Sequence, residues 1–142
     1  MTDSNESIQQ AAALIVHDGR VCLVTASSGR RWILPKGTLE RGQSACECAV
    51  IEAWEEAGVR GHVGRRPVAK YAARKWGRQS AVSVFRLEVD AVAADWPERT
   101  VRRRRWVSLS QAIAAIDVPE VCELLRDLKN PKRKLEARPA ER

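Results

Sequence analysis

Three glutamates carry the strongest chemical signal in the chain. Glu52, Glu55 and Glu56 stand at positions i, i+3 and i+4, and on an α-helix those positions share one face. Like charges placed this way repel by roughly 0.2–0.5 kcal/mol per pair, so the pattern calls for a cation. A hard divalent ion turns that repulsion into coordination, and an oxygen-only donor set suits Mg²⁺ or Mn²⁺ rather than zinc. Mg²⁺ takes one or two protein carboxylates and fills its other positions with water and phosphate oxygens. A remaining glutamate is then free to act as general base on a water. A plain solvated helix face would show the same three residues, and the flanking sequence decides between the two.

The elements that must position this trio are legible around it. Ser44-Ala45-Cys46-Glu47 matches a capping box, in which Ser and Glu satisfy each other's free backbone N–H groups. A helix free of Pro and Gly is expected over 45–57, with Gly58 as its C-terminal cap. Before it, apolar runs at 11–16 and 21–26 flank His17-Asp18-Gly19-Arg20 and read as a buried β-hairpin. A polar loop covers 27–31, a brief strand Trp32-Ile33-Leu34 ends at Pro35, and 36–43 reads as loop. After the helix, strand-like stretches occupy 61–73 and 80–91, joined by a basic loop at 74–79. Residues 92–100 read as loop, because Pro97 excludes a central strand. A short strand follows at 102–107. Ser108 opens a helix to about 116, and Pro119 opens another, apolar at Val121, Leu124, Leu125 and Leu128. This order predicts a mixed α/β sandwich in one domain over 11–130, with flexible ends at 1–10 and 131–142.

The segment from Gly37 to Val59 resembles the Nudix box, G-x5-E-x7-R-E-U-x-E-E-x-G-U with U aliphatic. Gly37, Glu52, Ala53, Glu55, Glu56, Gly58 and Val59 match, while Gln43 replaces the first Glu and Ile51 replaces the Arg. The stretch Trp32 to Gly37, and Asp95-Trp96-Pro97-Glu98 followed by Arg102 to Arg105 and Trp106, look like the diphosphoinositol polyphosphate and diadenosine polyphosphate hydrolase branch. The resemblance implies a Nudix-type α/β/α sandwich, with a mixed sheet and a loop–helix–loop. It implies hydrolysis of a diphosphate linkage in a polyphosphorylated small molecule, with Mg²⁺ as cofactor and Mn²⁺ as a substitute. By the same resemblance Glu52, Glu56 and the backbone carbonyl of Lys36 hold the metal. Glu55 accepts the proton of the attacking water, and Glu52 is counted with it as catalytic. Ser28, Arg30, Lys36, Lys75 and Arg104 are the implied phosphate contacts. The family arginine pairs with the catalytic glutamates, which Ile51 cannot do, so weakened catalysis is a competing expectation.

Charge and composition agree with an anionic ligand beside a carboxylate cluster. The net charge is +7, divided as −3 over residues 1–59, +9 over 60–106 and +1 over 107–142. RNA is the rival anionic partner, bound by a catalytically weak module or hydrolysed at its 5′ end. Trp76 sits in the basic 74–79 loop, where it could stack on a nucleobase. The four cysteines lack Cys-x-x-Cys spacing and only two histidines occur, which disfavours zinc and points to reduced thiols. No apolar run approaches the roughly 20 residues of a membrane span. The acidic N-terminus lacks the pattern of an export signal, so a cytoplasmic monomer or homodimer is expected.

Overall fold

The computed structural model describes residues 7–132. Among these, the elements run β1 (Ile8–His17), β2 (Arg20–Thr25), β3 (Trp32–Ile33), β4 (Lys36–Thr38), α1 (Ala45–Ala57), β5 (Val59–Val63) and β6 (Ala69–Lys75). They continue with β7 (Arg78–Val92), β8 (Arg104–Ser108), α2 (Leu109–Ala115) and α3 (Pro119–Lys129). Residues 1–6 and 133–142, which hold most of the two expected flexible ends, lie outside the described residues.

β1 is the axis of the molecule. Its residues 8–15 pair in parallel with β7, its N-terminal half pairs antiparallel with β4, and its last residues pair with β2. A strand flanked on both sides and covered on both faces reads as a continuous apolar run. Ala11 to Ile15 are accordingly all buried. Alternation then divides them. Ala12 and Leu14 join Val82, Val84, Ala112, Val121 and Leu125 beneath α2 and α3. Ala11, Ala13 and Ile15 face α1, whose Ala49, Ala53 and Ala57 pack on them and on Phe85 and Leu87. The result is the expected α/β/α sandwich.

Local signals hold where they are strongest. Ser44 and Glu47 form the full capping box of α1, and Gly58 caps it at φ 69°. Ser108 opens α2 with a second capping box, through Gln111. Three expectations change. β1 starts at Ile8 rather than Ala11, because Ile8 to Gln10 find partners on β7 and β4. The segment 36–43 is not all loop: Lys36–Thr38 pairs with β1. The stretch 61–73 is two strands, β5 and β6, each taking a different part of the 15-residue β7.

Leu14 is 2% exposed beneath α2 and α3, whereas Val101 is 72% exposed. Leu14→Ala is expected to cost about 2–5 kcal/mol. Val101→Ala is expected to stay within about 0.5 kcal/mol. Urea unfolding of the two variants checks both.

Candidate active site

The site forms where β4 passes beneath α1. Lys36 and Gly37 are adjacent in an extended strand, so they face opposite sides of the sheet. Lys36 is paired with Ala12 and Gly37 with Ala11. Gly37 therefore looks at α1, and a Cβ there would fall 2.4–2.8 Å from the carboxyl end of Glu52. Only glycine allows the helix carboxylate to lie this close to the strand. One turn on, Glu56 is 4% exposed, and its Oε1 accepts the Lys36 backbone N–H at 3.1 Å.

Glu52 and Glu56 stand one helical turn apart, and burial works against charge on both. Desolvation raises the Glu56 carboxyl to about 8, with the Glu52 charge adding to the rise and Arg102 opposing it. Burial also raises Glu52, and the charges of Glu98 and Glu55 push the same way. Glu55 is more open, and its backbone carbonyl accepts the Glu98 N–H at 3.0 Å. Among the described residues, no three His, Cys, Asp or Glu side chains form a ready-made metal cluster. The pair of Glu52 and Glu56 still suits a hard cation. It offers oxygen donors only, repels itself when ionised, and matches the one or two carboxylates that Mg²⁺ accepts.

Arg102 is the residue that sequence reasoning passed over. It reaches Glu56 Oε2 at 3.3 Å and Glu98 Oε1 at 2.7 Å, and donates to the Thr25 carbonyl at 2.7 Å. Its alternation with Arg103 and Arg105, both exposed, was the available signal. Arg102 is set in place by the chain from 93 to 104, which closes the C-terminal end of α1. Trp96 Nε1 donates to the Glu56 carbonyl at 3.0 Å, Glu98 N–H to that of Glu55, and Arg104 to that of Ala57 at 2.8 Å. These are the carbonyls that a helix leaves without internal partners. A guanidinium thus faces Glu56 although Ile51 cannot supply one. Gln43 and Ile51, the two departures from the box, line one surface hollow together with Val50 and Val63. Their charges are missing as a pair, on a different side of α1.

On the opposite face of the sheet lies a cleft of about 380 Å³. Its walls include Arg31, Trp32, Lys36, Tyr71, Arg74 and Glu120. The Lys36 ammonium is held below its usual range, first by burial and then by the charges of Lys75 and Arg31, while Glu56 pulls the other way. Lys36 and Arg31 thus line the cleft together, and the charge of Lys75 reaches the Lys36 ammonium. The structure places Ser28 and Arg30 on the exposed 27–31 loop, bonded to each other through the Arg30 N–H at 3.3 Å. Arg104 is not brought to this cluster: its guanidinium serves Ala57 and Ala93 carbonyls and lies 4.2 Å over Trp96. Trp54 is partly buried under Arg60, which lies 3.8 Å from its ring centroid. The described cysteines are all free thiols, and no helix among the described residues is long and apolar enough to cross a membrane.

A carboxylate-bearing helix braced on a mixed sheet, with a cation-lined cleft on the far face, defines the class of the domain. The NUDIX domain model matches residues 7–128, and the chain belongs to the Nudix family. It is 37% identical over 107 residues to Nudix hydrolase 4 of Arabidopsis thaliana, a match covering 73% of this chain and 48% of that protein. It is 33% identical over 129 residues to mouse diphosphoinositol polyphosphate phosphohydrolase 3-alpha, covering 85% of this chain and 77% of that protein. The chain thus spans about half the length of the plant relative. The crystal structure of C. elegans Ap4A hydrolase has the same fold, with a TM-score of 0.69 at 21% identity, over 87% of this chain and 97% of that one.

The raised Glu56 carboxyl sets a pH dependence. A carboxyl that binds its proton more tightly when folded stabilises the fold fully below its unfolded value of 4.5, and that contribution is lost as pH rises to about 8. Without divalent ions, the thermal midpoint is expected to fall by about 5 °C or more across this window. Mg²⁺ is expected to restore it at pH 8.5, and Glu56→Gln to flatten the slope; scanning calorimetry reads all three. Arg102→Met removes the guanidinium from Glu56. It is expected to destabilise more at pH 9 than at pH 6, where a proton takes the guanidinium's place, by a difference of about 1–3 kcal/mol. Paired urea titrations at the two pH values check this.

Proposed function

We propose that this chain is a Mg²⁺-dependent pyrophosphohydrolase that cleaves a diphosphate linkage in a polyphosphorylated small molecule. Dinucleoside polyphosphates and inositol pyrophosphates are the leading substrate types. One observation carries the reading: Lys36 meets both charge sets, its N–H bonded to the buried Glu56 beside Glu52 and its ammonium acted on by the charges of Lys75 and Arg31. The names of the mouse relative and of the C. elegans hydrolase, which refer to diphosphoinositol polyphosphate and Ap4A, support the same class of substrate.

Glu52, Glu56 and the Lys36 carbonyl would hold the divalent ion, with Mn²⁺ as a substitute. Bound there, the ion neutralises phosphate charge and polarises the phosphoryl group. Lys36, Arg31 and Lys75 hold the phosphate chain, the arginine by a bidentate fork and the lysines as point charges. Ser28 and Arg30 are close in sequence to Arg31 and extend this surface. Glu55, half-buried where Glu56 is buried, takes the proton of a water that attacks phosphorus. The bond from that phosphorus to the bridging oxygen breaks, and the departing phosphate keeps the electron pair. Lys36 and Lys75 offset the charge that develops on it. Arg102 keeps Glu56 in place throughout.

Glu56→Gln retains an acceptor for the Lys36 N–H and is expected to fold while losing Mg²⁺-dependent turnover. Glu55→Gln is expected to lower kcat by about 10²–10⁴-fold. A panel of diadenosine polyphosphates, inositol pyrophosphates and nucleotide sugars, assayed with Mg²⁺, checks both. No turnover by the unaltered protein on any of them, together with salt-sensitive RNA binding, would replace the enzyme by a binding module.

A further inference from the structure

The chain builds the same two-residue turn twice. Asp18-Gly19 joins β1 to β2 with φ values of 52° and 73°, and Trp76-Gly77 joins β6 to β7 with 53° and 73°. Positive φ at both central positions is the requirement of a type I′ turn. Aspartate suits the first position, because a short polar side chain tolerates left-handed backbone. Tryptophan does not, since a bulky residue there crowds the following carbonyl. A residue held in such a conformation invites a functional explanation.

The indole has no packing role that would offset this. Trp76 is 72% exposed. The other four tryptophans are each partly buried. Trp32 and Trp106 pack against core clusters, Trp96 covers Gly58, and Trp54 lies under Arg60. The Arg74 side chain bonds the Gly77 carbonyl and clasps the turn from within. Lys75 lies 5.1 Å from the Trp76 ring centroid, and the same lysine bears on the Lys36 ammonium. On β6, Tyr71, Ala73 and Lys75 share one face, and Tyr71 and Ala73 line the cleft. The indole therefore stands at the outer end of the wall that carries the cations.

We propose that Trp76 is a stacking platform for a nucleobase, and that it makes a nucleoside polyphosphate the preferred ligand over a polyphosphate without an aromatic group. A phosphate held by Lys75 leaves its nucleoside within reach of the adjacent ring. Every nucleobase offers a π face to such a ring. A single indole among cations suits this polyanionic ligand better than an apolar protein surface, which would need a wider patch. The inference rests on the reading of the cleft as a polyphosphate site, and narrows it.

Trp76→Asn tests it, because asparagine fits the turn better while removing the ring. The unaltered protein and the Trp76→Asn and Trp76→Phe variants are titrated with ADP and with inorganic pyrophosphate by calorimetry, in Mg²⁺. Trp76→Asn is expected to weaken ADP by about 10-fold, to leave pyrophosphate affinity unchanged, and to hold or raise the thermal midpoint. Trp76→Phe is expected to retain most of the ADP affinity. Equal ADP affinity in the unaltered protein and Trp76→Asn overturns the proposal. So does equal weakening of ADP and pyrophosphate, or no ADP binding by the unaltered protein. These titrations decide the role of Trp76 even if no substrate is hydrolysed. Turnover of a dinucleoside polyphosphate with a KM indifferent to Trp76→Asn would leave the enzyme standing and remove the platform alone.

Discussion

The burial of Glu56 is the constraint on which the rest of the site depends. A carboxylate at 4% exposure must be neutralised, paired or coordinated, because an unpaired charge in the interior is too costly to keep. The fold supplies partial answers from two directions: the Lys36 N–H and the Arg102 guanidinium. Neither offsets burial in full: the carboxyl is raised to about 8, so a proton neutralises Glu56 below that pH and the two carboxylates repel above it. A divalent cation would remove that repulsion outright, so the same packing that disfavours the ionised pair raises the advantage of binding metal. A bound cation and the stability of the fold would then be coupled through one residue.

That packing is achieved with small residues. Ala49, Ala53 and Ala57 let α1 sit directly on β1, and Gly37 lets Glu52 lie against β4. Larger side chains on either surface would lift the helix and open the carboxylates to water. The chain from 93 to 104 then fixes the other end of α1 by taking up the carbonyls of Glu55, Glu56 and Ala57. Capping the helix and delivering Arg102 are therefore one event. The departure at Ile51 does not leave Glu56 without a cation, because that cation comes from a different element.

What could be read from the sequence divides along the range of the interactions. The limits of α1 follow from Ser44, Glu47 and Gly58, which act within one turn of the chain, and both were legible. The box glutamates were legible for the same reason, since helical spacing alone places them on one face. β4 was not, because Lys-Gly-Thr has no strand character of its own and is extended only through pairing with β1. The division of 61–73 into β5 and β6 depends on β7 being long enough to serve both. Alternation along 102–105 set two arginines on each side but did not say which pair turns inward. The cross-strand partnership of β8 with β2 decides that, and it turned Arg104 toward backbone carbonyls rather than toward the cleft.

The charge asymmetry of the chain finds its meaning in the two faces of the sheet. The acidic first part contributes the carboxylates beneath α1, and the basic middle contributes Lys75 and Arg74 on the β6–β7 hairpin beside the cleft. A sheet separates the two sets, which would otherwise neutralise each other as surface ion pairs. Lys36 is where they communicate. Strand alternation sends its side chain to one face and the Cα of Gly37 to the other, while its N–H points at Glu56. A ligand that spanned both sets would be anionic at the cleft.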